Sequence, residues 1–411
     1  MPPSDHPAGP GQASSGPAGS TPGTGMPTVL SASAGPDTAG PLTAGPLTAG
    51  TPTAGPPAGD REPLLVATGV RKSYRAGRGL GGGARVHAVD GVDLSVAAGE
   101  TLGVVGESGC GKSTLARLLV GLERPDAGRV RYAGLDVGTA RGSRRRELRR
   151  AVQMVFQDPV TSLNPRMPIL DVVAEPLDVH KLARGAAARR DRVAELLEMV
   201  GLAPDMMRRF PHEFSGGQRQ RIGIARALAT EPRVVVCDEP VSALDVSVQA
   251  QVVNLLAELQ QRLGIALVFI AHDLGVVRHV SHRVAVMYLG RLAELGPAGT
   301  VYQDPAHPYT RALLGSVPVR HPRERGRERI VLAGDPPSPV DPPSGCRFHT
   351  RCPIAQDVCA ERTPTLLVPA GDTPGPGGDT TGPAGDTAGS GAETTGPVGE
   401  RVAACHFAGT R

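Results

Sequence analysis

The sequence predicts an α/β protein, a largely parallel sheet covered by helices on both faces. Two observations carry this: short apolar runs of strand length alternate with longer stretches of helical period, and the strands lead directly into Gly-rich or capped helix starts. A third is the middle of the chain, from about Pro63 to Pro318, which is rich in Val, Leu, Ile and Ala and long enough to bury a substantial core.

Taken in order, Thr101–Val105 is an apolar strand entering a Gly-rich turn, and Ser113–Leu122 follows with helical spacing. Val152–Phe156 reads as the next strand. Arg189–Val200 is amphipathic, with Val193, Leu196, Leu197 and Val200 on one side. Arg219–Ala229 is a further helix, Val234–Cys237 a buried strand, Ser247–Leu263 a long helix and Ala266–Ile270 another strand. Val284–Tyr288 and Arg291–Leu295 make a hairpin around Gly290. Residues 1–60 repeat short Pro, Gly, Thr and Ala phrases and read as a disordered low-complexity tail; a similar tract occupies about 370–400. The expected organisation is therefore 1–60 tail, 61–320 folded domain, and 321–411 C-terminal extension carrying the low-complexity insertion.

The net charge of +4 is too small to argue for nucleic acid. The basic run Arg144–Arg146 with Arg149 and Arg150 reads as a solvated helix face. No apolar run reaches the roughly 18 residues that cross a bilayer. The N-terminus has no apolar segment of the kind a secretory signal needs. The expectation is a cytosolic chain whose membrane connection comes through partners.

The chemistry begins at G-E-S-G-C-G-K-S, the residues Gly106, Glu107, Ser108, Gly109, Cys110, Gly111, Lys112 and Ser113, followed by Thr114. This fits the phosphate-binding pattern G-x-x-x-x-G-K-[ST] between a strand and a helix, the context that the pattern requires. Glycines let backbone N–H groups turn inward around a phosphate, and the helix N-terminus adds a favourable dipole. Lys112 is expected to reach the β- and γ-phosphates and Ser113 to hold Mg²⁺. Downstream, V-V-V-C-D-E-P ends a strand in Asp238, suited to the metal shell, and Glu239, suited to polarising an attacking water. Between them F-S-G-G-Q-R-Q-R places Ser215, Gly216, Gly217 and Gln218 at a helix start. By residue type alone that is either an ordinary capped helix or a second anion site.

With these landmarks in order, the sequence resembles the ATPases of ABC transporters over about Pro63 to Pro318. The resemblance implies a P-loop NTPase of the ABC type, a RecA-like core plus a helical signature subdomain, with a Cys-containing C-terminal extension. It implies that Ser215–Gln218 close over ATP held by the opposite subunit of a head-to-tail dimer. Tyr74 in R-K-S-Y-R resembles the aromatic that stacks on adenine, although a half-buried strand Tyr is the plain alternative. Gln157 in V-F-Q-D-P resembles the glutamine that contacts Mg²⁺ and water. Asp245 in S-A-L-D is similar to the aspartate that communicates between sites, and His272 in F-I-A-H-D to the switch histidine at the γ-phosphate. Glu239, His272 and Gln157 are thus the expected catalytic residues, and ATP with Mg²⁺ the expected substrate and cofactor. Soluble ABC proteins of repair or translation, with paired cassettes or a coiled-coil insertion, fit less well, as do a non-catalytic regulator and an exporter.

D-P-V-T-S-L-N-P-R-M, D-P-A-H-P-Y-T-R-A-L and S-G-C-R-F-H-T-R-C-P resemble the ATPases of oligopeptide and dipeptide importers, most closely the F-type subunit. That implies a D-type ATPase partner or a homodimer, two permease subunits, an extracellular peptide-binding protein and a peripheral place on the cytoplasmic face of the membrane. A nickel or other small-solute importer is the nearest rival. Cys110 and Cys237 read as small buried residues. Cys346, Cys352, Cys359 and Cys405 all follow the core, and four thiols in a cytosolic chain argue for metal more than for disulfides. Their spacing matches neither zinc pairs nor the ferredoxin run, so zinc with His349 or His406, or free thiols, stay open. The resemblance implies a [4Fe–4S] cluster, with the insertion before Cys405 lengthening the last loop.

Overall fold

The computed structural model describes residues 62–75, 84–316, 334–369 and 400–409. The low-complexity readings of 1–60 and 370–399, and the boundary near 320, lie outside these residues.

The described chain opens with an antiparallel pair, β1 (Pro63–Arg75) and β2 (Arg85–Ala97). β3 (Thr101–Val105) then passes through the Gly-rich turn into α1 (Lys112–Leu119). β4 (Ala127–Tyr132) and β5 (Leu135–Asp136) return to the antiparallel sheet, and α2 (Gly142–Ala151) leads to β6 (Val152–Val155). A helical stretch follows: α3 (Pro159–Ser162), α4 (Ile169–His180), α5 (Gly185–Met199) and α6 (Gly216–Leu228). The core closes with β7 (Val234–Asp238), α7 (Val246–Leu263), β8 (Ala266–Ile270), α8 (Leu274–Val280), β9 (Arg283–Tyr288) and β10 (Arg291–Pro297). After it come α9 (Ala298–Gln303), α10 (Pro308–Gly315), α11 (Asp357–Glu361) and β11 (Val402–Ala403).

Among the described residues the main sheet has seven strands in the order β11-β10-β9-β3-β8-β7-β6. Strands β9 through β6 in that order are parallel neighbours, while β10 and β11 run antiparallel at one edge. Alternate residues of one strand enter different cores. Val235, Cys237, Leu267 and Phe269 join the helices α4–α6, whereas Val234, Val236, Val268 and Ile270 face α1 and the β1–β2 sheet. A strand with both faces covered has no position for a polar side chain, which explains the unbroken apolar runs.

Several expected elements lie where the sequence places them, with modest shifts. The helix after the Gly-rich turn ends at Leu119 rather than Leu122, because the Leu122 N–H folds back onto the Arg117 carbonyl at 2.9 Å and closes the last turn. The Arg-rich run is the exposed face of α2, with Leu148 its buried residue. The separate four-stranded sheet, order β2-β1-β4-β5, was not legible in the sequence. Register shifts between Ala67 and Val70, Val70 and Arg71, and Lys72 and Ser73 break the period-two pattern that would announce β1.

The C-terminal residues pack into the same cores. Phe348 is 2% exposed and joins the helical-side cluster, and Val402 joins the opposite one. β11 pairs with β10 through Glu294 and Leu295. At this junction Glu294 is wholly buried and accepts the backbone N–H groups of Ala306 and His307 at 2.9 and 3.0 Å. His307 is buried in turn, and its Nδ1 accepts the Tyr309 N–H at 3.0 Å, capping α10.

Burial lowers the pKa of His307 to about 4. The unfolded chain, with an imidazole near ~6.5, binds the extra proton first, so stability falls as pH drops from about 6.5 to about 4. That difference is worth about 3 kcal/mol at full protonation of the unfolded side chain. In urea titrations at pH 7 and pH 4.5, His307→Asn should lose less stability on acidification than the parent chain; equal losses would show that His307 does not titrate on unfolding.

Candidate functional site

The carboxyl ends of the parallel strands carry the expected functional groups, the place where ligands bind in open α/β sheets. The loop from Gly106 to Gly111 crosses from β3 to α1. Gly111 sits at φ +105°, and a Cβ there would lie 1.9 Å from the Ala88 carbonyl oxygen, so the β2 backbone forces glycine at the loop's last position. This tight seat aims the N-terminus of α1, with Lys112 and Ser113, back across the loop. The Lys112 ammonium is 4% exposed by residue and donates to the carbonyls of Gly106 and Glu107 at 2.9 and 3.0 Å. It also lies 3.8 Å from a Glu239 carboxylate oxygen. Ser108 and Gly109 form the exposed outer turn, Cys110 is buried beneath it, and Thr114 is partly buried on α1.

β7 supplies the facing acids. Asp238 ends the strand at 3% exposure and accepts the Ser113 hydroxyl at 2.9 Å. Its pKa is raised, chiefly by burial, with the neighbouring Glu239 charge adding and the Ser113 hydrogen bond opposing. Glu239 takes φ +44°, a left-handed conformation costly for a residue with a Cβ, and its N–H is held by the Ile270 carbonyl at 3.0 Å. Its other carboxylate oxygen accepts the Gln157 side-chain amide at 2.9 Å. Gln157 follows β6, so three neighbouring loops meet here. His272 follows β8 and is exposed.

The hydroxyl of Ser113, the carboxylate of Asp238 and the side-chain oxygen of Gln157 are hard oxygen donors of the kind Mg²⁺ takes, and the first two already touch. A buried carboxylate with a raised pKa also gains most from an added cation. The residues present therefore fit a magnesium–phosphate ligand.

Ser215, Gly216, Gly217, Gln218 and Asp245 share none of these contacts, whereas the Tyr74 hydroxyl reaches Thr114 on α1. Ser215 caps α6 in a reciprocal pair with Gln218, each side chain meeting the other's backbone N–H at 3.3 and 3.0 Å. Asp245 caps α7 through the Val248 N–H at 3.0 Å. The two helix starts are locked together: a Cβ on Gly217 would lie 2.3 Å from Val248, and one on Gly216 would press on Leu244 at 3.3 Å. Both N-termini thus present one exposed edge. Tyr74, 36% exposed at the end of β1, donates its hydroxyl to Glu123, and Lys72 sits 5.7 Å from its ring centre.

The C-terminal thiols gather at one place. Burial pushes Cys346 up to about 11, with the charges of Cys405, Cys359 and Cys352 adding. The Cys346 N–H binds the Cys359 carbonyl at 2.7 Å. Among the described residues, however, no group of three or more His, Cys, Asp or Glu side chains is arranged to hold a metal ion. The expected [4Fe–4S] cluster thus finds no formed ligand set among the described residues.

Contacts that the sequence reading did not anticipate reach the loop from the C-terminal region, through Tyr309 and Arg351. Their motifs were legible only as a family resemblance. Nothing in their spacing shows which loop they touch.

Comparison with known proteins points to one family. The ABC transporter family model matches residues 89–242, and the model described as the oligopeptide/dipeptide transporter C-terminal region matches 293–359. The putative oligopeptide transport ATP-binding protein YkfD of Bacillus subtilis is 53% identical over 307 residues, 74% of this chain and 92% of that protein. The oligopeptide transport protein OppF of Salmonella typhimurium is 56% identical over 68% of this chain and 84% of its own length. The di/tripeptide transport protein DppF of Pseudomonas aeruginosa is 52% identical over 74% and 94%. Among solved structures, the dimeric post-hydrolysis state of the ATP-binding cassette MJ0796 bound to ADP and Pi is 30% identical, with a TM-score of 0.51, covering 57% of this chain and 99% of that one.

Asp238 yields a signed expectation. With its pKa raised, the native chain binds more protons than the unfolded one between about pH 4 and the raised value, so stability falls as pH rises through that window. Asp238→Asn should therefore melt a few degrees higher than the parent at pH 7 without nucleotide, roughly what one relieved buried charge gives, and should lose the extra stabilisation by Mg-ATP. A lower melting point would show that the carboxylate is not penalised by burial.

The matched domains and the relatives spanning most of their own length place this chain in the family of oligopeptide/dipeptide ABC transporter ATP-binding proteins.

Proposed function

We propose that the chain is the ATP-hydrolysing subunit that powers import of di- and oligopeptides, acting as a peripheral subunit on the cytoplasmic face of the membrane. The observation that carries the ATPase reading is the junction of Lys112, Ser113, Asp238, Glu239 and Gln157 at the ends of β3, β7 and β6. The C-terminal region match and the oligopeptide and di/tripeptide relatives support the cargo class. No helix among the described residues is long and apolar enough to cross a membrane, which fits a subunit that works through permease partners.

In this reading the loop N–H groups and Lys112 hold the β- and γ-phosphates, and Tyr74 stacks on the adenine. Ser113, Asp238 and Gln157 hold Mg²⁺, which neutralises phosphate charge when bound. Glu239 takes the proton of the attacking water, and the Gln157 amide fixes the orientation of its carboxylate. The left-handed backbone at Glu239 is strain kept where it aims that group. His272 contacts the γ-phosphate.

Ser215, Gly216, Gly217 and Gln218 have no phosphate of their own to bind, and their exposed helix start suits the ATP of a second subunit. The MJ0796 cassette is described as dimeric. The partners are then a D-type ATPase subunit or a second copy, two permease subunits and an extracellular peptide-binding protein. Asp245, on the same edge as the signature, carries the signal between the two sites. Because hydrolysis needs groups from both chains, closure and reopening are tied to the chemistry.

Glu239→Gln should bind Mg-ATP but hydrolyse it at least about a hundredfold more slowly. In a strain lacking the chromosomal gene, the parent chain should restore uptake of labelled di- and oligopeptides and Glu239→Gln should not. Full ATP turnover by the variant would remove Glu239 from its role; restored nickel uptake with no peptide uptake would overturn the cargo assignment.

A further inference from the structure

Two residues beyond the cassette core hold the phosphate loop, and none of the roles above uses them. The Tyr309 hydroxyl, on α10, accepts the backbone N–H of Glu107 at 3.0 Å. Arg351, in the short turn His349–Arg351, donates to both carboxylate oxygens of Glu107 at 3.2 and 3.0 Å and to the Tyr288 hydroxyl at 3.4 Å. Its side chain is 7% exposed, so this is not a loose surface pair. An aromatic block of Tyr288, Tyr309 and Phe348, with ring centres 4.6 to 5.4 Å apart, backs both contacts. The turn carrying Arg351 is pinned to that block by its N–H to the Phe348 carbonyl at 3.0 Å.

The chemistry gives the contact a purpose. Glu107 puts a carboxylate inside a loop built to receive an anion, where its charge opposes a polyphosphate. The peptide unit whose N–H Tyr309 holds carries the Gly106 carbonyl, which accepts from Lys112 at 2.9 Å, so the orientation of this peptide unit reaches the phosphate-binding ammonium. We propose that Arg351 and Tyr309 are positioning residues for the nucleotide: Arg351 neutralises and clamps the Glu107 side chain, Tyr309 fixes its peptide plane, and the C-terminal region thereby sets ATP affinity. The inference rests on reading the loop as the ATP site. It predicts an effect on binding and not on the hydrolytic groups, since Glu239 and Gln157 follow other strands, β7 and β6.

The test uses the full chain in the assembled transporter, with KM and kcat for ATP and direct titration of Mg-ATP. Arg351→Met should raise KM at least roughly tenfold, since it leaves the Glu107 charge uncompensated beside a polyphosphate, with kcat held within about twofold. Arg351→Lys should recover part of the loss. The double variant Arg351→Met/Glu107→Gln should return KM toward the parent value, because it removes the charge that Arg351 offsets. A merely structural Arg351 gives a double variant no better than the single one, and that result would overturn the proposal, as would an unchanged KM or a fall confined to kcat. Should Arg351→Met fail to fold, Tyr309→Phe carries the test through the loss of one hydrogen bond: KM should rise about threefold to fivefold, and an unchanged KM rejects the clamp. Failure of the parent chain itself to bind Mg-ATP would instead refute the ATP-site reading.

Discussion

A parallel sheet covered on both faces has only its strand ends free to meet a ligand, and the site of this protein depends on that constraint. β3, β7 and β8 are buried along their whole length, with successive side chains entering two different cores. Polar chemistry is therefore excluded until the strands stop. Where they stop, the chain delivers a Gly-rich loop, an Asp–Glu pair and a histidine within one layer of loops. The apolar packing that stabilises the sheet also fixes the spacing of these groups.

The groups so delivered are charged and poorly hydrated. Lys112, Asp238 and Glu239 lie close together with little solvent access, and burial drives Asp238 toward its neutral form. Such an arrangement is pre-set for a ligand carrying both anionic oxygens and a cation, since each would relieve a cost the fold already bears. The left-handed backbone at Glu239 belongs to the same pattern of strain held at a functional position by the surrounding sheet.

The C-terminal region is bound into this core and is more than an appendage. Asp90 on β2 is ringed by Arg71, Arg291 and Arg347, from β1, β10 and the C-terminal region. Burial works to raise its pKa, and the arginine hydrogen bonds and charges overcome this and hold it lowered. Together with Arg351 on Glu107 and β11 on β10, these contacts fasten the C-terminal region to both sheets and to the phosphate loop. Arg347 and Asp90 are both nearly buried, so removing one of them would leave the other's charge uncompensated in the interior.

The sequence alone determined the local features whose signal is contiguous. The strand–loop–helix around Lys112, the buried strand before Asp238 and the capped helix at Ser215 each lie within a few neighbouring residues, where periodicity and turn chemistry act directly. It did not announce β1, whose register shifts scramble the alternation, nor the ends of helices closed by backbone contacts. Only the tertiary structure decided that Gln157 orients Glu239, that Gly217 locks α6 against α7, and that Arg351 meets Glu107 across 244 positions of chain. Those facts depend on which loops the sheet order brings side by side, and strand order is set by the burial of whole faces, which no short stretch of residues encodes.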